Sequence, residues 1–475
     1  MSEGHHLAIN WQLAFQTRTI NNDYALFTNN VNNPTTPRDF KGTAFAPVIP
    51  SFQYAYNKGK WSFQASFALT GGGGKCTFDD GLGSFEKIVS ETAIAACGLA
   101  GVVDQTLGNT LGQPGMEMFT SDQAFGKTGK YSFNSYMHGR QYYYGLSVGA
   151  AYKFCDNFSA FLGVRGVYAL TNYYGYVENI NVGNMPLYKV LDPSKETAAN
   201  IELSCDQTGV GFTPIIGVDY KTGRWNFSAK YEFKTRIRLK NKSVNQTPSI
   251  GNLPANLANQ MTGILTAKFQ QAGLPLEQAK QKAENTTNTV LADPKVGATM
   301  IGLKTQFDQK LNKAIGEYED GKKIAGDIPA YLALGVGYSP VDAVRVNVGF
   351  HWFDDKNATS YNNRNKELKR GTLEYNAGVE VDVNKKITLS TGWQNTNYGL
   401  SDEYMDDKSF VVSSNSVAVG GVYHINKKMD LNVAYFHTFY QHKKTTEKVE
   451  QIGKTYSSDY TRNNNVFAVG LDINF

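Results

Sequence analysis

The last ten residues of the chain, 466–475, alternate strictly between apolar side chains and small or polar ones, and they end on an aromatic residue. Such alternation puts successive side chains on opposite faces of a β-strand. About ten residues is the length of a tilted strand that crosses a bilayer. A closing strand of a soluble sandwich needs only one such segment, so a membrane barrel requires the pattern to recur. One face carries Phe467, Val469, Leu471, Ile473 and Phe475, and the other carries Ala468, Gly470, Asp472 and Asn474.

The same alternation recurs along the whole chain. Residues 7–15 predict an opening strand, and six pairs of alternating segments, each joined by a short turn, predict hairpins. The terminal strand brings the predicted number of antiparallel strands to fourteen, an even number as in single-chain outer-membrane barrels. The hairpins occupy residues 52–69, 142–170, 216–233, 332–352, 375–393 and 417–439.

The connections between the predicted strands alternate in length. Six are short turns, and seven are long segments that are polar or rich in aromatic residues. Outer-membrane barrels keep short turns in the periplasm and long loops outside the cell. We therefore predict an all-β membrane protein: one 14-stranded transmembrane β-barrel domain, residues 1–475, with short helices in two extracellular loops at about 71–139 and 240–328.

Composition agrees with a barrel in the bacterial outer membrane. The chain is 41% hydrophobic with a mean hydropathy of −0.39, and we expect no stretch of about 18 apolar residues for a spanning helix. Its 28 Tyr and 27 Phe residues suit the aromatic girdles of a barrel, although soluble all-β proteins are also aromatic. The net charge of +5 is small and the basic residues are scattered, so we predict no nucleic-acid partner. We expect contact with outer-membrane lipids, detergent and the barrel assembly machinery, and a monomer.

The cysteines indicate neither a metal site nor a cofactor. Cys76, Cys97, Cys155 and Cys205 lack CxxC spacing and have no histidine cluster beside them. Cys76 and Cys97 fall in one predicted extracellular loop. The sequence is compatible there either with a disulfide between them or with two reduced thiols. The chain starts at a strand without an apolar leader, so we expect a processed, truncated or misassigned start.

The first helical loop is strongly apolar. Ser84 suits the cap of a helix that carries Phe85, Ile88 and Val89, and a second apolar segment follows. Such helices either pack on one another above the barrel or form a groove that captures an apolar ligand. The second helical loop is rich in Gln, Lys and Ala, which predicts a solvated helical cap. The second apolar segment contains Ile94, Leu99, Val102, Val103 and Leu107.

Together these features resemble the FadL-like long-chain fatty-acid transporters of the outer membrane. The resemblance implies passive uptake: capture in a loop groove, passage through the barrel, and release sideways through the wall or inward. Family members carry an N-terminal hatch with an Asn-Pro-Ala motif before the first strand, whereas this sequence begins at that strand. The resembling features are the fourteen strands, the apolar second loop, residues 50–56 before the turn at Lys60, the run Leu69-Thr70-Gly71-Gly72 and the terminal Phe475.

The resemblance also implies carboxylate ligands such as long-chain fatty acids, which a cation inside the barrel would help to bind. Arg165, Lys230 and Arg345 fall on inward faces of predicted strands. The alternative to ligand contact is that these cations form ion pairs with carboxylates in the lumen, namely those of Glu232, Glu380 and Asp382. The predicted ligand-binding residues are Phe85, Ile88, Val89, Leu99, Val103, Arg165 and Arg345.

Proteins with other functions can have the same predicted strands. A nonspecific diffusion porin has a polar constriction without apolar loop helices, and large loops also suit a surface adhesive or structural role. A barrel enzyme needs a nucleophile and a base on neighbouring strands; His351 and His424 face inward, but no Ser-His-acid pattern accompanies them. We therefore predict a channel or transporter for hydrophobic or amphipathic small molecules, without enzymatic activity.

Overall fold

A computed structural model describes residues 3–248, 250–449 and 453–475. Within these ranges fourteen long strands form one closed barrel, and all neighbouring wall strands are antiparallel. The first and last wall strands close the ring in continuous register, from His6 opposite Asn474 to Asn22 opposite Ser458. The predicted fourteen-stranded antiparallel barrel is confirmed. Residues 1 and 2, at the expected processed start, lie outside the described residues.

Four short strands accompany the fourteen wall strands in the described ranges, namely β6, β9, β10 and β17 of the numbering that follows. In chain order the strands are β1 (Gly4–Asn22), β2 (Arg38–Lys58), β3 (Trp61–Phe78), β4 (Tyr131–Lys153), β5 (Phe158–Val182), β6 (Met185–Pro186), β7 (Ile201–Thr222), β8 (Trp225–Glu232), β9 (Arg238–Gln246), β10 (Lys323–Ala325), β11 (Tyr331–Val341), β12 (Val344–Phe353), β13 (Thr372–Asn384), β14 (Ile387–Asn397), β15 (Ser414–Asn426), β16 (Met429–Tyr440), β17 (Lys443–Val449) and β18 (Lys454–Asn474). The α-helices are α1 (Gly83–Leu111), α2 (Tyr188–Leu191), α3 (Leu253–Gln271), α4 (Leu276–Leu291) and α5 (Pro294–Ile315). Short 3₁₀ turns cover Ala25–Asn29, Ile250–Asn252, Gly316–Tyr318, Asp355–Asn357 and Tyr361–Glu367.

The alternation of the sequence becomes the two faces of the wall. On β1 the apolar side chains of Ile9 and Trp11 point outward and are 51% and 49% exposed, while Asn10 between them lines the lumen. Exposed apolar side chains recur on the outer face of the other wall strands, such as Val348 on β12 and Val419 on β15. An apolar outer belt around a polar interior is the arrangement that lipid requires of a barrel.

The long and short connections lie at opposite ends of the barrel. Six connections of two to four residues join β2 to β3, β4 to β5, β7 to β8, β11 to β12, β13 to β14 and β15 to β16, at the same end as the C-terminus. The seven remaining connections between wall strands are long, and they carry all five α-helices of the described ranges. We call these the turn end and the loop end.

The predicted helical loops are too long because several strands continue beyond the membrane. β4 has 23 residues and β5 has 25, about twice the length of a bilayer crossing, and they pair with each other throughout. The predicted loop at 71–139 is therefore shortened to the residues between β3 and β4, 79–130. The predicted loop at 240–328 begins inside β9 and ends after β10, so its helical part lies between those strands.

The apolar stretch of the first helical loop forms one helix of 29 residues, α1, where the sequence predicted short helices. Gly112, in the left-handed conformation with φ 66°, ends it. Within the described residues α1 is the one helix whose length and composition fit a membrane span, which corrects the expectation of no such stretch; half of its most apolar window is buried. Its buried apolar positions recur every three or four residues: Val89, Ala93, Ala96, Ala100, Val103 and Leu107.

The largest apolar core lies above the barrel, between α1 and the helices of the second helical loop. Buried side chains of all five α-helices form it together with the loop ends of β5 and β7. A second cluster, which includes Tyr24, Phe27 and Tyr460, fills the barrel mouth beneath it. All four cysteines are free thiols; Cys76 joins the mouth cluster and Cys97 joins the helical core. The loop helices therefore pack on one another above the barrel, which was the first of the two predicted arrangements. The packed helices also enclose the cavities described below.

Arginine at an outward position of the wall should destabilise the barrel far more than arginine at the inward neighbour. Val348 lies near the middle of β12 and faces lipid, whereas Asn347 faces the lumen. We expect Val348→Arg to lower the free energy of unfolding by about 2–4 kcal/mol and Asn347→Arg to lower it much less, because only the first charge enters hydrocarbon. Equilibrium unfolding in lipid vesicles measures both variants, and equal losses would contradict the assigned faces.

Candidate functional site

Two buried carboxylates hold α1 in place over the barrel mouth. Glu86 is ion-paired with Arg38 of β2, and its Oε1 accepts hydrogen bonds from Tyr131 Oη and Asn30 Nδ2, each at 2.8 Å. Near the other end of the helix, Asp104 accepts hydrogen bonds from three successive backbone N–H groups, those of residues 118–120, at 2.8–3.0 Å. Buried carboxylates with this many donors are strong, directional anchors. They fix the helix that lines the cavities below.

A dry cavity lies inside the helical core, and we call it the helix cavity. Its free volume is about 60 Å³, and its lining side chains are apolar except Thr92, whose hydroxyl donates to the Ile88 carbonyl. An apolar cavity of this kind stays free of water and accepts apolar groups. Four residues of the predicted ligand-binding set line it: Ile88, Val89, Leu99 and Val103.

A second cavity of about 40 Å³, the tyrosine cavity, adjoins the first. Ile88 of α1 and Ile201 of β7 line both spaces. Phe85, the fifth predicted apolar residue, lies here instead of in the helix cavity. The amino group of Lys408 lies at its edge, donating to the Ala314 carbonyl at 3.3 Å. Its aromatic lining consists of Phe85, Tyr173, Tyr174, Tyr176 and Tyr318.

A wide charged vestibule of about 640 Å³ leads to the tyrosine cavity from the loop end. It lies between the start of α1, the end of α5 and the loops around residues 360–367 and 403–408. Phe85, Ile88 and Lys408 belong to both the vestibule and the tyrosine cavity. The three spaces therefore touch in series, from a charged entrance to a dry interior.

The two arginines of the predicted ligand-binding set are held by carboxylates. Arg165 Nη2 lies 2.7 Å from Glu232 Oε2. Arg345 donates to Glu380 at 2.9 Å and to both carboxylate oxygens of Asp382 at 2.7 and 2.8 Å. These are the pairings that the sequence analysis gave as the structural alternative. The structure brings neither arginine into the helix cavity or the tyrosine cavity, and their contact with a ligand stays a prediction.

Two other arginines, which the sequence analysis did not single out, meet inside the barrel and form the arginine pair. Arg18 of β1 and Arg462 of β18 are directly opposite each other across the closing ladder. Gln16 Oε1 accepts from Arg18 Nε at 3.1 Å and from Arg462 Nη2 at 2.7 Å, and Arg462 Nη1 donates to the Phe410 carbonyl at 3.4 Å. In the described ranges no carboxylate forms an ion pair with either guanidinium, and the buried Arg462 Nε has no acceptor.

The arginine pair lies between the mouth cluster and the lumen. The neighbouring inward residues toward the loop end, Ile20 and Tyr460, belong to the mouth cluster. Tyr173, which lines the tyrosine cavity, is among the electrostatic neighbours of Arg18. Alternation alone puts Arg18 on the inward face, but only the closure register brings Arg462 beside it, which is why sequence reasoning missed the pair.

The pairing of β2 with β3 is interrupted just below the arginine pair, and we call this interruption the wall gap. These strands pair from Gly42–Phe78 to Phe45–Lys75 and again from Phe52–Phe67 to Lys58–Trp61. Between the two ladders, residues 46–51 and 68–74 form no pairs with each other in the described wall. Arg18 and Ala14 lie opposite Gly42 and Ala46 of β2, so the pair stands two inward positions above the upper border of the gap.

The turn half of the lumen is an open polar space of about 700 Å³, the lumen cavity. Gln53 and Ser66, which pair directly below the wall gap, line its upper part. The carboxylates of Asp430 and Asp472 and the amides of Asn10 and Asn432 line it as well. The lumen cavity thus reaches from the wall gap toward the turn end.

No protein-family model and no curated protein sequence matches the chain. Two solved structures share its fold over almost the whole length. A FadL homologue of Pseudomonas aeruginosa superposes with a TM-score of 0.57 at 13% identity, over 99% of this chain and 90% of that chain. The P. putida toluene transporter TodX superposes with a TM-score of 0.52 at 12% identity, over 100% of this chain and 91% of that chain. The chain folds as a FadL-type outer-membrane barrel.

The FadL-type barrel confirms the resemblance at the level of the fold, and it belongs in the bacterial outer membrane. Its turn end is then periplasmic and its loop end extracellular. The vestibule opens to the outside, and the lumen cavity faces the periplasm. The wall gap lies on the side of the barrel, at the level of the lipid-facing side chains of Val48 and Phe52.

The FadL-type barrel also holds a Thr-His-Asp chain that the sequence analysis did not find. His424 Nδ1 lies 2.7 Å from Asp430 Oδ1, and His424 Nε2 lies 3.0 Å from Thr388 Oγ1. The Thr388 hydroxyl is buried and donates to Asp382 Oδ1 at 2.7 Å. A nucleophile must give its proton to the histidine, so this hydroxyl is arranged as part of a lumen network and not as an attacking group.

Raising the pH should loosen the loop that covers the start of α1. Asp407 Oδ2 accepts a hydrogen bond from the Ser84 N–H at 2.7 Å, and burial together with repulsion from Asp406 raises the pKa of Asp407 to about 6. A carboxyl whose pKa is raised on folding adds stability that is complete below its ordinary pKa of 3.8 and is lost as the pH rises through about 6. Hydrogen exchange of the first turn of α1, corrected for intrinsic rates, should be faster at about pH 8 than at about pH 5. The Asp407→Asn variant should show no such difference, and a pH-independent wild type would contradict the assignment.

Proposed function

We propose that this barrel is a channel for the passive uptake of hydrophobic and amphipathic small molecules, long-chain carboxylic acids in particular. The observation that carries the proposal is the series of touching spaces from the vestibule through the tyrosine cavity to the helix cavity. Burial of each methylene from water is worth about 0.8 kcal/mol, so an alkyl chain gains free energy along such a path. A charged entrance followed by a dry interior suits a molecule with a polar head and an apolar tail.

The arginine pair supports acids over neutral ligands. Two guanidinium groups carry ten N–H donors, five each. Protein acceptors take one from Arg18 and two from Arg462, three in all. Like charges directly opposite each other on neighbouring strands destabilise a sheet unless an anion lies between them. A ligand carboxylate supplies both the missing charge and the missing acceptors.

The wall gap gives the ligand a way out of the lumen. An apolar molecule that leaves the arginine pair reaches the opening beside β2 and β3 without crossing the polar lumen cavity. Release sideways into the lipid keeps the alkyl chain out of water, whereas release through the lumen cavity exposes it. We therefore propose lateral release as the main route, with the lumen cavity as the route for more polar molecules.

Small aromatic hydrocarbons are the second candidate class. One solved structure with this fold is described as a toluene transporter. The helix cavity is uncharged, but its free volume of about 60 Å³ is below the roughly 150 Å³ of a cavity that binds benzene, so the loop helices must move apart to admit a ring. The arginine pair distinguishes acids from hydrocarbons, since a neutral ring has no oxygen to accept the unused N–H groups and no charge to balance the two guanidinium groups.

A diffusion porin is the remaining alternative, and the open lumen cavity favours it. A porin conducts small ions steadily and binds no amphipathic acid saturably. A gated or plugged transporter shows low conductance in a planar bilayer. We propose that the barrel is neither an adhesin nor an enzyme.

Removing the arginine pair should weaken the binding of acids selectively. We expect Arg18→Gln combined with Arg462→Gln to lower the affinity for a long-chain carboxylic acid about 10- to 100-fold, because charge-assisted hydrogen bonds are each worth about 1.5–3 kcal/mol. The matching long-chain alcohol should lose far less. Changing Phe85 and Ile88 to Ser should weaken both ligands equally, because these side chains contact the tail. Titration of the detergent-solubilised wild type and both variants with the two ligands measures all six affinities.

The matched control is Arg224→Gln, which removes an exposed positive charge at a periplasmic turn and should leave both affinities unchanged. Arg165→Gln tests the residue predicted from sequence: because Arg165 is paired with Glu232, a carboxylate that it shares with Lys230, its effect on acids should be smaller than that of the double variant. Wild-type protein that binds no amphipathic acid saturably would favour the porin.

A further inference from the structure

An alternating basic segment covers the outer wall above the membrane. From residue 234 to 242 every second side chain is Lys or Arg, and the residues between them, Thr235, Ile237, Leu239 and Asn241, are buried. The alternation puts the basic side chains of β9 on the face that looks away from the barrel. Neither the capture of a ligand nor its passage through the lumen uses these side chains.

The height of this segment on the wall is set by its partner strand. Lys240 lies opposite Thr208 of β7, and the next outward residues of β7 toward the periplasm are Val210 and Phe212, 63% and 71% exposed. Apolar side chains that exposed mark the lipid-facing belt. Lys240 and Lys242 therefore lie above the lipid-facing belt, whereas Arg236, whose backbone lies beside Gly211, is level with its upper edge.

Basic side chains also face each other across neighbouring strands on this wall. Lys240 lies opposite Lys323 of β10, and Lys75 of β3 lies opposite Arg140 of β4. Like-charge pairs directly opposite each other are destabilising by themselves. Together with two further exposed side chains these residues form the basic patch, which consists of two groups separated by β5 and β7: Lys75 and Arg140 on one side, and Arg236, Lys240, Lys242 and Lys323 on the other.

The acidic groups near the basic patch do not neutralise it. Arg238, which alternates with the patch, is paired with Asp327 at 2.8 Å. Asp206 lies opposite Lys242, with its Oδ1 accepting from Asn172 Nδ2 at 2.8 Å, and Asp320 Oδ1 accepts from the Ser243 N–H. Both carboxylates keep their charge, and these two charges offset only part of the six positive charges of the patch. Across the described part of the chain, no residue of the patch forms an ion pair with a carboxylate. The patch keeps a net positive charge at the lipid boundary.

We infer that the basic patch binds the phosphate groups of lipopolysaccharide in the outer leaflet. The side chains face outward, so a molecule in the lumen does not reach them. Lys240 and Lys242 stand directly above the lipid-facing residues of β7, at the height where the leaflet carries its phosphorylated sugars, and Arg236 stands at the upper edge of the belt. Lys and Arg bind phosphate through charge-assisted hydrogen bonds, and rows of them at a membrane surface attract anionic head groups. The inference is independent of the proposed transport function.

Titration of the solubilised barrel with purified lipopolysaccharide tests the inference. The variant with Arg236→Gln, Lys240→Gln, Lys242→Gln and Lys323→Gln should bind it roughly tenfold more weakly or worse, and added salt should reduce the affinity of the wild type more than that of the variant. Lipopolysaccharide stripped of phosphate should bind the wild type as weakly as intact lipopolysaccharide binds the variant. The variant with Lys240→Arg and Lys242→Arg should bind like the wild type.

The matched control removes four exposed lysines of the periplasmic turns, Lys385, Lys386, Lys427 and Lys428, also by change to Gln. It makes the same change in net charge and should leave the affinity unchanged. Unaltered heat-modifiable mobility on gels shows that each variant is a folded barrel. Equal binding by the patch variant and the control, or undiminished binding of the dephosphorylated lipid, would overturn the inference. Inorganic phosphate that competes as well as the lipid at equal phosphate concentration would show a general anion site and would also overturn it.

Discussion

The whole structure depends on the need to pair every backbone N–H and C=O group that faces lipid. An unpaired group costs several kcal/mol in hydrocarbon, which is why the wall closes on itself through β1 and β18. The wall gap is an exception to this pairing, and the residues of β2 reduce the number of backbone groups that it leaves unpaired. Pro47 and Pro50 of β2 have no N–H to leave unpaired, and the indole of Trp11 donates to the Pro47 carbonyl at 2.7 Å. The interruption of the β2–β3 pairing thereby leaves fewer unpaired backbone groups than ordinary strand residues would leave.

Charge inside the barrel divides into two kinds. Arg165 and Arg345 are held by carboxylates, so they strengthen the wall and offer little to a ligand. Arg18 and Arg462 have each other as neighbours and share one glutamine acceptor. A buried charge without an oppositely charged partner lowers the stability of the fold, and charges of this kind are commonly found at functional sites. This difference, more than the mere presence of a lumen cation, is the reason that acids are the proposed ligands.

Alternation was sufficient to predict the number of strands and the two faces of the wall, because both follow from a side-chain period of two. It did not predict where strands end, since pairing above the membrane carries no change of pattern. Nor did it show that α1 is continuous, because Gly98 and Gly101 are weak helix formers and only packing against the other loop helices outweighs them. Four of the predicted apolar ligand-binding residues line the helix cavity together, and Phe85 lines the adjoining tyrosine cavity. Arg18 and Arg462, at opposite ends of the chain, are joined only by the closure register.

The most direct measurement is photolabelling of the purified barrel with a long-chain carboxylic acid that carries a photoactivatable group on its alkyl tail, followed by mapping of the labelled residues. A path through the loop helices, past the arginine pair and out of the wall gap predicts labels on α1 and on residues 46–51 or 68–74, all suppressed by excess unlabelled acid. Labels confined to the lipid-facing outer surface, around residues such as Val348 and Val419, or labels that excess acid does not suppress, would contradict passage through this barrel.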